Sequence, residues 1–241
     1  MPLFKINSDL HFFAHVPKCA GASVEVYLRK RFGEIAFQNS RYLSLTEEQR
    51  WTRSSPQHVD VASLELLIPR KWLASSFAVV RHPVSRLRSA FDFQRVGEKS
   101  IPEDTDINDW LANWAKTRAA QPFQFDNHAR PAHDLIPKGA TVFRLEDGID
   151  GIVAHLDRLE GQKRGPRALP HENKSRGGSD YAAAQSPLTD ASMALIQEIY
   201  KVDFDRFGYA CEDVSKSKPV TTRRPKRPSR KSLTQLLGLK K

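Results

Sequence analysis

Cysteine is nearly absent from this chain: Cys19 and Cys211 are the only two among 241 residues. Two thiols build no disulfide framework, so a reducing compartment is expected. No apolar run approaches the roughly 20 residues of a membrane-spanning helix. The N-terminus shows no basic stretch followed by a long apolar core, so no secretory signal is expected and the reading is cytoplasmic. Internal repeats are missing. The spacing Gly-x4-Gly-Lys-Ser/Thr is missing too, which excludes an ordinary Walker loop. No group of His, Cys, Asp and Glu has metal-ligand spacing, so no metal is expected.

Acidic residues are missing from one place in particular. Residues 215–241 hold ten of the 38 basic residues and no acid, which leaves 28 basic against 28 acidic residues elsewhere. The net charge of +10 is therefore a property of the tail, and the body is neutral. A basic fold would have pointed to nucleic acid; a basic tail does not, and no nucleic-acid partner is expected. The tail is rich in Pro, Ser, Lys and Arg and is expected to be disordered. It reads first as a solubilising extension, and otherwise its partner would be an anionic membrane, at the inner face, or an acidic polysaccharide. The expected division is residues 1–214 as one domain and 215–241 as the tail.

What is present starts with residues 11–33. Phe12 to Val16 reads as a buried strand, and Pro17 ends it. Lys18-Cys19-Ala20-Gly21-Ala22-Ser23 then places small residues around one lysine and one hydroxyl. Val24, Tyr27, Leu28 and Phe32 follow at helical spacing. Strand, tight loop and helix together aim backbone N–H groups and a helix dipole at one point, which makes an anion site. Cys19 sits among neutral small residues and reads as space-filling rather than nucleophilic.

A second such unit follows. Ser76 to Val80 reads as a buried strand, Arg81-His82-Pro83 breaks it, and a helix begins with proline in its first turn. Arg81 thus stands at a strand end, with Ser89 eight residues further on. An arginine and a hydroxyl so placed grip one phosphate from two sides. Thr141 to Leu145 reads as a third strand. Short helical pieces are expected at residues 46–49 and 64–72. Longer helices are expected over 105–118 on Ile107, Trp110, Leu111 and Trp114, over 149–159, and from Thr189 to Phe207. Residues 54–58 and 161–178 read as loops. Alternating strands and helices indicate an α/β fold with a mostly parallel central sheet, which binds ligands at the carboxyl ends of its strands.

Taken together, His15 to Ser23 and Phe77 to Phe91 resemble the paired signature of sulfotransferases that use 3′-phosphoadenosine 5′-phosphosulfate (PAPS). The match is to the branch that mostly sulfates carbohydrates. Residues 127–131, 143–147 and 200–209 look like later blocks of that branch, so the resemblance covers about residues 10–210. It implies a P-loop-like three-layer fold. It also implies that Lys18 contacts the sulfuryl and bridging oxygens, that Ala20, Gly21, Ala22 and Ser23 hold the 5′-phosphate, with Cys19 among the cofactor-binding positions, and that Arg81 and Ser89 hold the 3′-phosphate. Ser89 would restrain Lys18 until both substrates are in place. Lys174, Ser175 and Arg176, within 173–178, resemble the loop that closes over the nucleotide, although they depart from its Arg-Lys-Gly form.

The resemblance places a histidine base between the two motifs, at His58. Histidine changes charge near neutral pH, as abstraction of a hydroxyl proton requires. His15 and His82 flank the donor loops. His128, His133 and His171 are candidates to line the acceptor cleft, and His11 and His155 are structural. Glu146 is a weaker candidate base. Trp51, Trp110 and Trp114 could stack on a sugar, with core packing the commoner role on an amphipathic helix. The implied acceptor is a carbohydrate or glycolipid hydroxyl.

Two other classes stay open. A P-loop-like kinase or nucleotide hydrolase would need a magnesium-binding acid after an apolar strand, which Glu146-Asp147 offers weakly. A non-catalytic polyanion-binding protein recruited by its tail would be expected to have lost Lys18 or His58, and both are present.

Overall fold

The computed structural model describes residues 2–170 and 186–211. Four strands form one sheet in the order β1-β2-β3-β4, namely Leu3–Ile6, Asp9–Ala14, Leu73–Val80 and Thr141–Arg144. β1 and β2 are an antiparallel hairpin, while β2, β3 and β4 run parallel. The mostly parallel α/β sheet flanked by helices therefore stands as expected. β1 is the addition. It is four residues long and its Lys5 is exposed, so it carries too little apolar pattern to stand out in the sequence.

Each parallel strand feeds a helix. β2 leads to α1 (Gly21–Phe32), β3 to α3 (Pro83–Asp92), and β4 to α5 (Gly151–Glu160). A short helix, α2 (Val61–Leu67), precedes β3, and α4 (Ile107–Thr117) lies between α3 and β4. α6 (Asp190–Ile199) and α7 (Lys201–Phe207) close the described chain. Asp60, Asp106 and Thr189 cap α2, α4 and α6 by accepting backbone N–H groups, as the chemistry of these residue types favours. Thr46 and Gln49 form a capping box on a single 3-10 turn, so the helix expected there is one turn long. The 54–58 loop also ends in a 3-10 turn, Pro56–His58.

The core runs along the sheet. Phe13 pairs with Phe77 across β2 and β3, and their rings stack at 5.0 Å. Val24, Tyr27 and Leu28 of α1 are fully buried, as their spacing predicts. Trp110 and Trp114 of α4 are also buried, which makes them core, whereas Trp51 is exposed. His11 bonds Ser75, and His155 packs against Phe77 and Phe143, so both histidines are structural. Among the described residues no helix is long and apolar enough to cross a membrane.

The parallel register sets the site. Ala14 of β2 stands beside Ala78 of β3, so the loops that leave these strands emerge on one edge of the sheet. His171, Lys174, Ser175, Arg176, the 214/215 boundary and the tail lie outside the described residues.

Candidate active site

The loop after β2 is held in a demanding conformation. Lys18 and Ala20 have φ of 67° and 61°, a region that non-glycine residues avoid. Gly21 tolerates no side chain, because a Cβ there would lie 1.9 Å from Nε2 of His15. The glycine is thus fixed by the packing of a histidine against the start of α1. The Cys19 side chain is buried and its Sγ lies 3.6 Å from the Pro17 carbonyl. Burial pushes its thiol pKa up to about 12, which rules out a thiolate nucleophile near neutrality. Only its backbone faces the loop's task.

No side chain caps α1, so its positive end faces the loop without a built-in anion. Lys18 supplies a cation there. Burial lowers its pKa to about 8, helped by the charge of Arg81 and opposed by Asp92 and Glu98. Arg81 follows β3, the parallel neighbour of the strand that precedes Lys18, so the two loops leave the same edge of the sheet. The Lys18 ammonium rests on the face of Phe93, 3.9 Å from the ring centre. Phe93 opens a π-helical turn, Phe93–Gly97, one turn beyond Ser89. Ser89 itself is half-buried on α3.

His58 lies on its 3-10 turn next to this loop. Its ring meets those of His15 and His128 edge to face, at 4.9 and 5.0 Å. Nδ1 of His58 is 2.7 Å from Oδ2 of Asp126 and 3.1 Å from Oγ of Ser55. Asp126 also accepts the Ser55 N–H and hydroxyl at 2.6 and 2.7 Å. Burial works to raise the Asp126 pKa, but the hydrogen bonds from His58 and Ser55 and the His58 charge overcome it and leave it at about 2. A carboxylate on Nδ1 fixes the tautomer and leaves the Nε2 lone pair as the base.

The neighbouring histidines are tuned differently. Burial holds His128 well below the usual range, and the His58 charge adds to this. Burial also lowers His15, against the opposing hydrogen bond of its Nδ1 to Glu25 at 2.5 Å. Both rings pack against the one histidine that has the Asp126 partner.

Asp126 is the functional residue that sequence reasoning missed. It sits in a left-handed turn, Phe125-Asp126-Asn127, with φ between 52° and 62° at all three residues. Asn127 donates to the His58 carbonyl at 2.8 Å, which ties the turn to the base from a second side. Arg86, buried to 1% exposure, donates to the carbonyls of His128 and Arg130, and Tyr200 donates to that of Ala129. Strain in that turn is thus supported by a buried clamp. The only sequence signal was position, since residues 127–131 begin one residue later.

The remaining candidates fall elsewhere. Glu146 accepts the His82 N–H at 2.7 Å and the Tyr209 hydroxyl at 2.8 Å, so it ties α3 to the chain end and is structural. His82 bonds the Ala210 carbonyl through Nε2. His133 pairs with Asp203 at 2.8 Å, which raises its pKa, and it lines a separate cavity. His58, Asp126 and His128 place one ligand atom each within 4.8 Å of one another and could by spacing hold a metal ion. Both Asp126 oxygens are already engaged by Ser55 and His58, which favours orientation of the base.

The geometry thus gives a cationic, helix-ended cradle next to a carboxylate-oriented histidine. No curated protein and no solved structure matches the chain significantly. A family model described as "Sulfotransferase family" matches residues 4–210. That span takes in the Lys18 loop, His58, Arg81 and Asp126, and the chain belongs to the sulfotransferase family.

Proposed function

We propose that this sulfotransferase moves a sulfuryl group from PAPS to a hydroxyl of a carbohydrate or glycoconjugate. The observation that carries the reading is the Asp126–His58 pair set beside the Lys18 loop. Nε2 of His58 takes the acceptor proton as the acceptor oxygen bonds to sulfur. The bond from sulfur to the bridging phosphate oxygen breaks, and adenosine 3′,5′-bisphosphate leaves. Lys18 and the start of α1 stabilise the charge that builds on the leaving phosphate, while Arg81 and Ser89 hold the 3′-phosphate. Lys18, Cys19, Ala20, Gly21, Ala22 and Ser23 form the donor loop through backbone and side chain together. The chemistry calls on proton transfer and positioning and assigns no step to a metal. A cytoplasmic setting suits the reading.

The kinase alternative loses its support at β4. Of its two candidate acids, Glu146 is occupied by His82 and Tyr209, and Asp147 lies 3.7 Å from the Arg144 guanidinium. The test is transfer of labelled sulfate from PAPS to extracts of the source cell, with the product identified by mass, alongside binding of adenosine 3′,5′-bisphosphate and of ATP with magnesium. Labelled glycan or glycolipid and preference for the bisphosphate support the reading. Label on protein alone, or preference for ATP with magnesium, overturns it.

A further inference from the structure

The shoulder from Glu65 to Trp72, at the end of α2 and the turn after it, holds three of the exposed large apolar side chains among the described residues. Leu66 is 89% exposed, Trp72 62% and Leu67 49%. Leu64 and Ile68 are buried and anchor the segment, so the outer leucines are presented on a fixed support. Arg70 and Lys71 are exposed between them.

A cavity of about 640 Å³ opens beside this shoulder. Glu65, Arg70, Lys138, Arg206 and the exposed Val202 line part of it. Asp60 and Asp134 also line it, and both lie next to Arg130, at 3.5 and 3.1 Å. Arg70 donates to the Lys138 carbonyl, and Arg206 donates to those of Ile136 and Pro137. These bonds fix the guanidinium groups without cancelling their charge. Among the described residues, none of Arg70, Lys71, Lys138 and Arg206 forms an ion pair.

Apolar side chains on a rigid base, beside a cavity whose charges other than Arg130, Asp60 and Asp134 are Arg70, Lys138 and Arg206 against Glu65, suit one kind of surface. We propose that this face docks on an anionic phospholipid bilayer. Leu66, Leu67 and Trp72 enter the interfacial layer, and Arg70, Lys138 and Arg206 receive a headgroup phosphate. A second copy of the chain is a poorer occupant. A two-fold contact would set Arg70 and Lys71 against themselves. Three or four apolar side chains also fall well short of the roughly 800 Å² per partner of a stable interface. Peripheral binding of this kind needs two signals, and the ten basic residues of 215–241 provide the second. The inference stands apart from the choice of donor and acceptor.

The test uses the full chain carrying Trp51→Phe, since Trp110 and Trp114 are buried and Trp72 is then the exposed reporter. It is sedimented with phosphatidylcholine vesicles, with and without phosphatidylglycerol. Binding to the anionic vesicles with a blue shift of tryptophan emission is expected. In the otherwise wild-type chain, Leu66→Asn, Leu67→Asn and Trp72→Ser together should lower partitioning about tenfold or more. The three sites are exposed, so the urea midpoint should hold. Equal partitioning of this variant overturns the proposal. So does binding without a blue shift, which assigns the attraction to charge alone. A dimer in sedimentation equilibrium that the three substitutions dissolve also overturns it.

Discussion

The carboxylate of Asp126 reaches Nδ1 of His58 across 68 residues of sequence, at 2.7 Å. This single contact decides which ring nitrogen is left to act. It also fixes the ring against His15 and His128, whose burial lowers their pKa values. The pairing divides three adjacent imidazoles into one oriented by a carboxylate and two that pack against it.

Asp126→Asn should therefore preserve the fold and lose turnover. The amide can still bond Nδ1, but it no longer favours the tautomer with a bare Nε2. A fall in kcat of about 10²–10⁴ is expected, with little change in the KM for the donor. Steady-state kinetics check this, and a larger change in donor KM than in kcat would count against an orienting role.

The same carboxylate should appear in the acid stability of the protein. Its folded pKa of about 2 lies below that of an unfolded aspartate. The contribution is thus fully present above about pH 4 and is lost as pH falls through about 2. It is worth on the order of 2 kcal/mol. Urea unfolding of wild type and Asp126→Asn between pH 5 and pH 2 should show the two curves converging on the acid side.

Lys18 leads to a prediction at the other end of the pH scale. Its pKa of about 8 means that the charged form is lost as pH rises through that value. The profile of kcat/KM should fall above about pH 8. Lys18→Arg keeps its charge and should move that descending limb to higher pH, whatever it costs in rate. Lys18→Ala should lower kcat by about 10²–10³, the scale of losing one transition-state donor. An alkaline limb unchanged in Lys18→Arg would assign it to another group.

Gly21→Ala isolates the packing of the loop. The added methyl would meet the His15 ring at 1.9 Å, so the ring or the helix start must move. Overpacking of this kind costs about 1–3 kcal/mol, and displacement of His15 disturbs the edge of His58. Lower thermal stability and weaker binding of adenosine 3′,5′-bisphosphate are expected together. If calorimetry shows binding unchanged at reduced stability, the loop does not hold the nucleotide.

The two strand-loop-helix units were legible in the sequence because each is local. An apolar run, a breaker and a helical stripe lie side by side, and Lys18 and Arg81 inherit their positions from them. Asp126 was not legible, because its role depends on a contact with the distant His58 and on a left-handed turn at Phe125, Asp126 and Asn127. No residue-type preference places a phenylalanine there. Phe93 was missed for a related reason: as one more apolar residue after α3, it gave no sign that a lysine would rest on its ring. Arg86 was not singled out in the sequence either, and it is buried because the carbonyls it binds come from another segment.

The parallel pairing of β2 with β3 also makes the sheet a ruler. Lys18 and Arg81 follow adjacent strands whose last paired residues are Ala14 and Ala78, and adjacent strands lie about 4.8 Å apart. The gap between the two cations therefore starts from a dimension of the backbone ladder. Substitutions in either loop can alter how tightly an anionic ligand is gripped. The starting separation of the two loops is thus a property of the hydrogen bonds between the strands that carry them.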